Sequence, residues 1–166
     1  MISPELIRRF PFFAGLSHDH IVALADVGEE QDIQSGTYFF HEDEALDSFY
    51  LALSGAVGIV MELPDQAIQQ PISGQLMGQL KTKDVIISTV GPGDVFAWSS
   101  MVPPYKATAS ARALTDCRVV AFDAQALLQT FVKDCEFGYL VLQKIAQVSR
   151  DRLHHLRIES LAYASE

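Results

Sequence analysis

The sequence predicts a mainly β domain, a sandwich or barrel of about eight short strands with helices at both ends. From about residue 30, runs of β-branched and aromatic residues recur at near-regular spacing, separated by Gly, Asp and Ser turns. Apolar residues at helical spacing precede this region and follow it. The 166 residues, 49% of them hydrophobic, are enough for one packed domain. We predict one domain over 1–166, with N-terminal helices (1–28), a β region (29–122) and C-terminal helices (123–166).

Two short helices are predicted ahead of the strands. Ser3 is a favourable N-cap, and Pro4 suits the first helical position, where its missing N–H needs no partner. Apolar residues follow at helical spacing until Pro11 ends the pattern. Ser17 is the predicted N-cap of the second helix.

The strand candidates are apolar runs bounded by turn residues. Ser54-Gly55 stands between two of these runs and predicts a tight hairpin. Residues 64–83 contain five glutamines and no regular pattern, so they are expected to form a long, mobile hairpin loop. This loop is interpreted as a tolerated surface insertion, with a partner-docking loop as the alternative. The strand candidates are a first segment at Ile33 and residues 38–40, 49–53, 57–61, 85–90, 108–113 and 117–122.

The longest helix is predicted over about residues 136–161, which contain no proline. Its apolar residues form two neighbouring stripes, one of Val141, Ile145 and Val148 and the other extended by Leu142, Leu153 and Leu156. A shorter helix precedes it, after the last strand.

Charge and composition exclude several classes of protein. Twelve basic and 21 acidic residues give a net charge of −9, which argues against a chain that binds nucleic acid or an anionic membrane through its bulk charge. The N-terminus lacks the apolar core of a signal peptide, and no stretch approaches the length of a membrane span. Cys117 and Cys135 lie in no CxxC spacing and are interpreted as reduced thiols. A cytoplasmic protein is expected.

Five short segments in order resemble one known family. They are F-F-A-G-L-S at residues 12–17, Ser-Gly at 35–36, F-Y-L-A-L-S-G-A-V at 49–57, G-P-G-D-V-F at 91–96 and A-S-A-R-A at 109–113. The chain resembles the cyclic nucleotide-binding domain family, the sensor domain of catabolite-activator and FNR-like regulators. The resemblance implies a β-jelly roll (double-stranded β-helix) with a long C-terminal helix that commonly dimerises. It also implies a ligand site between the jelly roll and that helix.

The segment that would hold the ligand, residues 96–108 (the cassette), departs from the family's pattern. A cyclic nucleotide needs donors and a cation at its phosphate and an acceptor at its ribose hydroxyl. In the family, a Phe-Gly-Glu turn opens a short helix, and an arginine then stands just before a Thr or Ser. Here Ala97 stands at the glycine and Trp98 at the glutamate, and indole cannot accept a hydrogen bond.

The family's arginine is also absent. Its position falls on Ala107 or Thr108, depending on the direction of counting, and Lys106 is the nearest cation. Lysine serves a phosphate as a point charge but lacks the fork of arginine. The candidate ligand-binding residues are Phe96, Ala97, Trp98, Ser99, Ser100, Lys106, Ala107 and Thr108.

Two interpretations of the cassette stay open. In the first, the chain is a sensory module that binds a cyclic nucleotide or another small anionic ligand and signals through its C-terminal helix. Backbone N–H groups, serine hydroxyls, Lys106 and Thr108 would hold the ligand, with Trp98 stacking on it. In the second, the cassette is degenerate and the chain is a ligand-free module for dimerisation or partner binding.

A third hypothesis is a metal-dependent, cupin-like enzyme. Only His41-Glu42 lies among the strands, and the adjacent His154 and His155 point to different faces of a helix. No Gly-x-Ser-x-Gly elbow or phosphate-cradling loop occurs. We therefore expect no enzyme activity, no metal and no resident cofactor.

The expected partners follow from the helix and from the length of the chain. A homodimer is expected through Val141, Ile145 and Val148. The basic residues near 150–157 are interpreted as a solvated face, with the rim of the dimer interface as the alternative. About five residues follow Leu161, too few for a helix-turn-helix. A stand-alone sensor with no direct nucleic-acid binding is expected, and a separate effector protein would then carry the output.

Overall fold

A computed structural model of the chain describes residues 1–64 and 82–164. The helices are α1 (Pro4–Arg8), α2 (His18–Asp26), α3 (Ala124–Lys133) and α4 (Cys135–Ala164), with 3-10 helices at Pro11–Phe13 and Trp98–Met101. The strands are β1 (Gly28–Ile33), β2 (Tyr38–Phe40), β3 (Ser48–Ser54), β4 (Val57–Pro64), β5 (Thr82–Val90), β6 (Val95–Phe96), β7 (Ser110–Ala113) and β8 (Cys117–Asp123).

The chain divides into two compact units, each with its own internal contacts. One contains the strands and comprises residues 28–124. The other is helical and comprises residues 1–27 and 125–166.

The strand unit consists of two four-stranded antiparallel sheets, ordered β1-β8-β3-β6 and β2-β7-β4-β5. The architecture is mainly β with flanking helices and fits the jelly roll that the family resemblance implied. β7 places Ala111 and Ala113 in the core, while Ser110 and Arg112 alternate with them on the strand. Small residues at the core positions of β7 let the two sheets approach closely.

The predicted hairpin at Ser54-Gly55 is wrong, although the turn itself is present. β3 pairs with β8 and β6, whereas β4 pairs with β7 and β5, so the turn carries the chain from one sheet to the other. Gly55 has φ +83°, a left-handed conformation that glycine adopts without strain. A local turn signal specifies a reversal of the chain but not which strands become hydrogen-bonded.

The predicted loop over residues 64–83 is described only at its ends. Pro64 belongs to β4 and Lys83 to β5, and the antiparallel pairing of these strands runs from Val57↔Val90 to Pro64↔Thr82. The rest of that predicted loop lies outside the described residues. No helix in residues 1–64 and 82–164 has the length and apolar character needed to cross a membrane.

Of the two N-caps predicted for the helical unit, Ser17 is confirmed and Ser3 is not. Ser17 caps α2, because its hydroxyl accepts the N–H of His20 at 3.2 Å and its own N–H donates to His20 Nδ1 at 3.4 Å. α1 begins at Pro4 as predicted, but the Ser3 side chain makes no capping hydrogen bond.

His20 also contacts Asp134, at the junction of α3 and α4, where His20 Nε2 lies 3.2 Å from Asp134 Oδ2. The hydrogen bond from the N–H of Phe137, and secondarily His20, lowers the pKa of Asp134.

The predicted dimer stripe on α4 is wrong for two of its three residues. Val141 is 1% exposed and Ile145 is 4% exposed, so both are already buried within the chain. Val148 is half-buried. The neighbouring stripe is the accessible one, because Leu153 is 48% and Leu156 is 45% exposed. Any partner of α4 would therefore meet the second apolar stripe rather than the first.

Two glycines with left-handed backbones, Gly55 and Gly36, provide a matched test of how closely the turn between the two sheets is packed. A Cβ on Gly55 would lie 2.3 Å from the Asp116 carbonyl oxygen, whereas a Cβ on Gly36 (φ +87°) would meet nothing within 4 Å. Gly36→Ala should lower the free energy of unfolding by about 1–2 kcal/mol through backbone strain alone. Gly55→Ala adds the clash and should lower it by roughly 3 kcal/mol or more in urea denaturation. Equal losses in the two variants would show that the close approach at Gly55 is not rigid.

Candidate functional site

The cassette begins on a strand of only two residues. β6 pairs with β3 through Tyr50↔Phe96 and Leu51↔Val95. Ala97 follows with φ +60° and ψ 29°, a left-handed conformation at the position where the family has glycine. The 3-10 helix Trp98–Met101 starts directly after it. The short helix that the family resemblance implied is therefore present, opened by alanine instead of glycine.

Three aromatic rings fix the start of the cassette. The Phe96 ring stacks on that of Tyr50 at 4.9 Å between centroids and meets Phe39 edge-on at 5.0 Å. Phe39 and Tyr50 contact each other at 5.5 Å. Burial raises the pKa of the Tyr50 hydroxyl. We did not predict these two partners as site residues; the only signal in the sequence is their place in the aromatic runs of β2 and β3.

The second half of the cassette is held by backbone hydrogen bonds to an acidic loop. The Ala107 N–H donates to the Glu44 carbonyl at 2.9 Å, and the Asp43 N–H donates to the Ala107 carbonyl at 2.9 Å. Ala107 is 3% exposed and belongs to the apolar core of the strand unit. Lys106 and Thr108, on either side of it, are exposed. Of the two positions at which the family's arginine could fall, Ala107 is a buried methyl group and Thr108 is exposed.

Ser100 is the polar side chain of the cassette that lies deepest. The residue is 1% exposed, and its hydroxyl has no hydrogen-bond partner among the described residues. A buried hydroxyl without a partner costs roughly 1–3 kcal/mol, so such groups are rare in folded proteins. The structure therefore leaves one hydrogen-bonding position open inside the cassette.

The predicted site residues fall into three groups by exposure. Phe96, Ala97 and Ala107 meet in one apolar cluster, and Ser100 is buried in the same turn. Trp98 and Ser99 are half-buried, while Lys106 and Thr108 face solvent. The core cluster consists of Phe40, Leu46, Ala52, Val57, Val90, Phe96, Ala107, Ala111, Ala113, Cys117 and Val119, with Ile33, Phe39, Tyr50, Ile59 and Ala97 packed against it.

Arg112, a cation on β7 after the cassette, forms an ion pair with Asp84. Its Nη1 donates to Asp84 Oδ2 at 2.6 Å, and the Tyr38 hydroxyl donates to the same oxygen. Burial, and then the hydrogen bond to Asp84, raise the pKa of Tyr38 to about 12. This pairing joins β7 and β2 to β5, so Arg112 has a structural role.

A second polar group lies on the same sheet. The Ser110 hydroxyl donates to Glu62 Oε1 at 2.5 Å, and His41 Nδ1 lies 2.6 Å from that oxygen. The hydrogen bonds from Ser110 and then His41 lower the pKa of Glu62. His41 thus pairs with Glu62 rather than acting with its neighbour Glu42. Within residues 1–64 and 82–164, no cluster of three or more His, Cys, Asp or Glu side chains could hold a metal ion.

Comparison with known proteins shows which family the chain resembles. A family model described as "Cyclic nucleotide-binding domain" matches residues 30–134. A CRP-like cAMP-activated global transcriptional regulator from Mycobacterium tuberculosis (strain CDC 1551 / Oshkosh) is 27% identical over 143 residues. That match covers 86% of this chain and 57% of the relative, so the chain spans little more than half of the relative's length.

Solved structures share the fold over nearly all of the chain. A protein from Geobacter metallireducens GS-15 superposes with a TM-score of 0.73 at 28% identity and covers 93% of this chain and 100% of its own. A cyclic nucleotide-binding domain from Methylobacillus flagellatus KT reaches a TM-score of 0.73 at 18% identity, over 96% of this chain and 80% of its own. The latter similarity concerns the fold alone.

The unpartnered Ser100 hydroxyl predicts an unusual response to substitution. Ser100→Ala removes a buried polar atom without breaking a hydrogen bond, and should raise the free energy of unfolding by about 1 kcal/mol. Ser110→Ala is the matched control, since Ser110 is equally buried but donates to Glu62 and accepts the Glu42 N–H at 2.9 Å. That variant should lose about 1–3 kcal/mol. A loss at Ser100 comparable to that at Ser110 in urea denaturation would mean that the Ser100 hydroxyl is satisfied in the folded chain.

Proposed function

The chain belongs to the cyclic nucleotide-binding domain family, and from that premise we propose that it is a regulatory module that binds a small anionic ligand at its cassette. Ligand binding is proposed to alter α4 and so the state of a partner. The observation that carries the proposal is Ser100, a buried hydroxyl with an open hydrogen-bonding position in the turn where the family binds its ligand. A ligand that reaches this hydroxyl would satisfy it, and binding would relieve the cost of leaving it unpaired.

The side chains around Ser100 favour a contact pattern different from the family's. Trp98 offers a ring for stacking and an N–H donor, but no acceptor for a ribose hydroxyl. Trp98 and Ser99 are half-buried, so each retains surface that a ligand can contact. The ligand would therefore be held by hydroxyls, backbone donors and ring contact instead of a carboxylate.

The proposal that the ligand is an anion depends on the cation Lys106. Lys106 is exposed, and its backbone forms an isolated antiparallel bridge with Ala45, which holds this part of the cassette in place. Its flexible side chain can approach a phosphate or carboxylate as a point charge. Arg112 is paired with Asp84 and does not supply this charge.

Regulatory output is proposed by analogy with the relative from Mycobacterium tuberculosis, which is described as cAMP-activated. In a module of this kind, the ligand shifts the population of two states by binding one of them better. The proposed responding element is α4, whose 30 residues end in a long exposed stretch. An enzyme activity is not part of this proposal.

A second candidate function is a ligand-free dimerisation module, and one observation favours it. The exposed face of α4 shows a heptad pattern, with spacings of three and four residues, that Ser149 and Ser160 interrupt. Such a stripe is typical of a helix that packs against another helix. Its members are Tyr139, Leu142, Ala146, Ser149, Leu153, Leu156, Ser160 and Tyr163.

Calorimetric titration with cyclic AMP and cyclic GMP tests the ligand proposal. Trp98→Glu restores an acceptor for the ribose hydroxyl, and a charged hydrogen bond of about 1.5–3 kcal/mol should tighten cyclic nucleotide binding by roughly 10-fold or more. Trp98→Gln is the matched control with the same shape and no charge, and should gain less. The Ser100→Ala variant should bind more weakly than the unaltered chain, by roughly 3–10-fold. Absence of binding heat in every variant would favour the ligand-free alternative.

Sedimentation of the full chain tests the proposed homodimer through α4. Replacing Leu153 and Leu156 by Glu puts charges into the exposed apolar stripe and should convert a dimer to a monomer. Ile158→Glu is the control, because Ile158 is 51% exposed but lies off the stripe. A dimer that survives the double substitution would show that α4 does not form the interface.

A further inference from the structure

The loop between β2 and β3, residues 41–47 (the acidic loop), holds the second half of the cassette in place. It exchanges two hydrogen bonds with Ala107, its Leu46 N–H donates to the Tyr105 carbonyl at 2.9 Å, and it also forms the backbone bridge with Lys106. Three consecutive residues of the cassette are therefore positioned by this loop. One of them, Lys106, is the only cation in the sequence of the cassette.

The start of the acidic loop is anchored by side chains that lie outside the cassette. The Glu42 N–H donates at 2.9 Å to the hydroxyl of Ser110, the first residue of β7. The same hydroxyl donates to Glu62 Oε1 on β4, and His41 Nδ1 lies 2.6 Å from that oxygen. One carboxylate thus contacts both the first side chain of the loop and the hydroxyl that accepts the loop's second N–H.

The chemistry of the Ser110 hydroxyl explains why Glu62 can act on the loop. A hydroxyl has one proton to donate and two lone pairs, so its orientation decides which neighbours it can bond. With its proton directed at the carboxylate, it keeps a lone pair for the Glu42 N–H. Donation to an anion also polarises the hydroxyl and makes it a stronger acceptor for the next donor. Ser110 is buried, so water does not compete for these bonds.

We propose that Glu62 is a positioning residue for the cassette, which acts through Ser110 and the acidic loop on the place of Lys106. The consequence for binding rests on the proposed function, in which Lys106 meets the negative charge of the ligand. The cassette then has two separate supports. The aromatic rings around Phe96 fix its start, and the carboxylate of Glu62 fixes its second half.

Amide hydrogen exchange of the full chain, measured by NMR without ligand, tests this role. Glu62→Ala should speed exchange at the Ala107 and Leu46 amides by roughly 5–10-fold, the effect of one lost hydrogen bond. Exchange at the Ser100 amide, which donates to the Ala97 carbonyl at 3.0 Å in the first half of the cassette, should stay unchanged. Glu62→Gln keeps an acceptor oxygen and should restore most of the protection.

Two further variants separate this role from a loss of general stability. Glu30→Ala is the matched control, because Glu30 is also a strand glutamate in an ion pair, with Arg118 in the other sheet, and it should leave the same amides unchanged. Ser110→Ala should speed the exchange that Glu62→Ala speeds, and the double variant should add nothing, since both changes act through one hydroxyl. The proposal would be overturned by additive effects, by equal acceleration at Ser100 in Glu62→Ala, or by no acceleration at all.

Calorimetric titration with cyclic AMP and cyclic GMP tests the consequence for the ligand. Glu62→Ala should weaken binding by roughly 2–5-fold, the range for one exposed charge pair, and Glu30→Ala should leave it unchanged. Unchanged affinity in Glu62→Ala would overturn the link between Glu62 and the ligand. If the unaltered chain binds neither nucleotide, the proposed function fails, whereas the exchange pattern still decides whether Glu62 positions the cassette.

Discussion

The position of Phe96 between Tyr50 and Phe39 is the contact on which the cassette depends. β6 is only two residues long, so its two backbone pairings with β3 could not hold the following turn alone. The stacked ring of Tyr50 and the edge-on ring of Phe39 supply the additional packing. With Phe96 fixed, the chain must turn sharply at Ala97, which accepts a left-handed conformation to do so. The 3-10 helix that contains Ser100 then begins at a defined place.

The same constraint explains how the cassette survives without the charged groups of its family. A methyl group at Ala107 fits the apolar cluster that receives Phe96. In the cassette, the buried side chain of Ser100 is polar but uncharged, and the charged side chain of Lys106 lies at the surface.

The sequence predicted where helices and strands form better than it predicted which strands pair and which helical residues are buried. The strand at 38–40 and the cap at Ser17 were confirmed, because both depend on local signals. The sheet change at Gly55 and the burial of Val141 were missed, because each depends on distant contacts. Two apolar stripes on one helix look alike in the sequence, and tertiary packing decides that Val141 is buried and Leu153 is exposed. The unpartnered Ser100 hydroxyl had no sequence signal, since hydrogen-bond satisfaction is a property of the folded chain.

Hydrogen exchange of the full chain, with and without millimolar cyclic AMP or cyclic GMP, tests the central claim most directly. The account predicts slower exchange in peptides that cover residues 96–108, because a ligand at Ser100 protects the amides of that turn, and an accompanying change in α4. Protection at the cassette without any change in α4 would contradict the regulatory part of the account. Unchanged exchange in both segments at saturating concentrations of both nucleotides would contradict cyclic nucleotide binding itself and favour the ligand-free module.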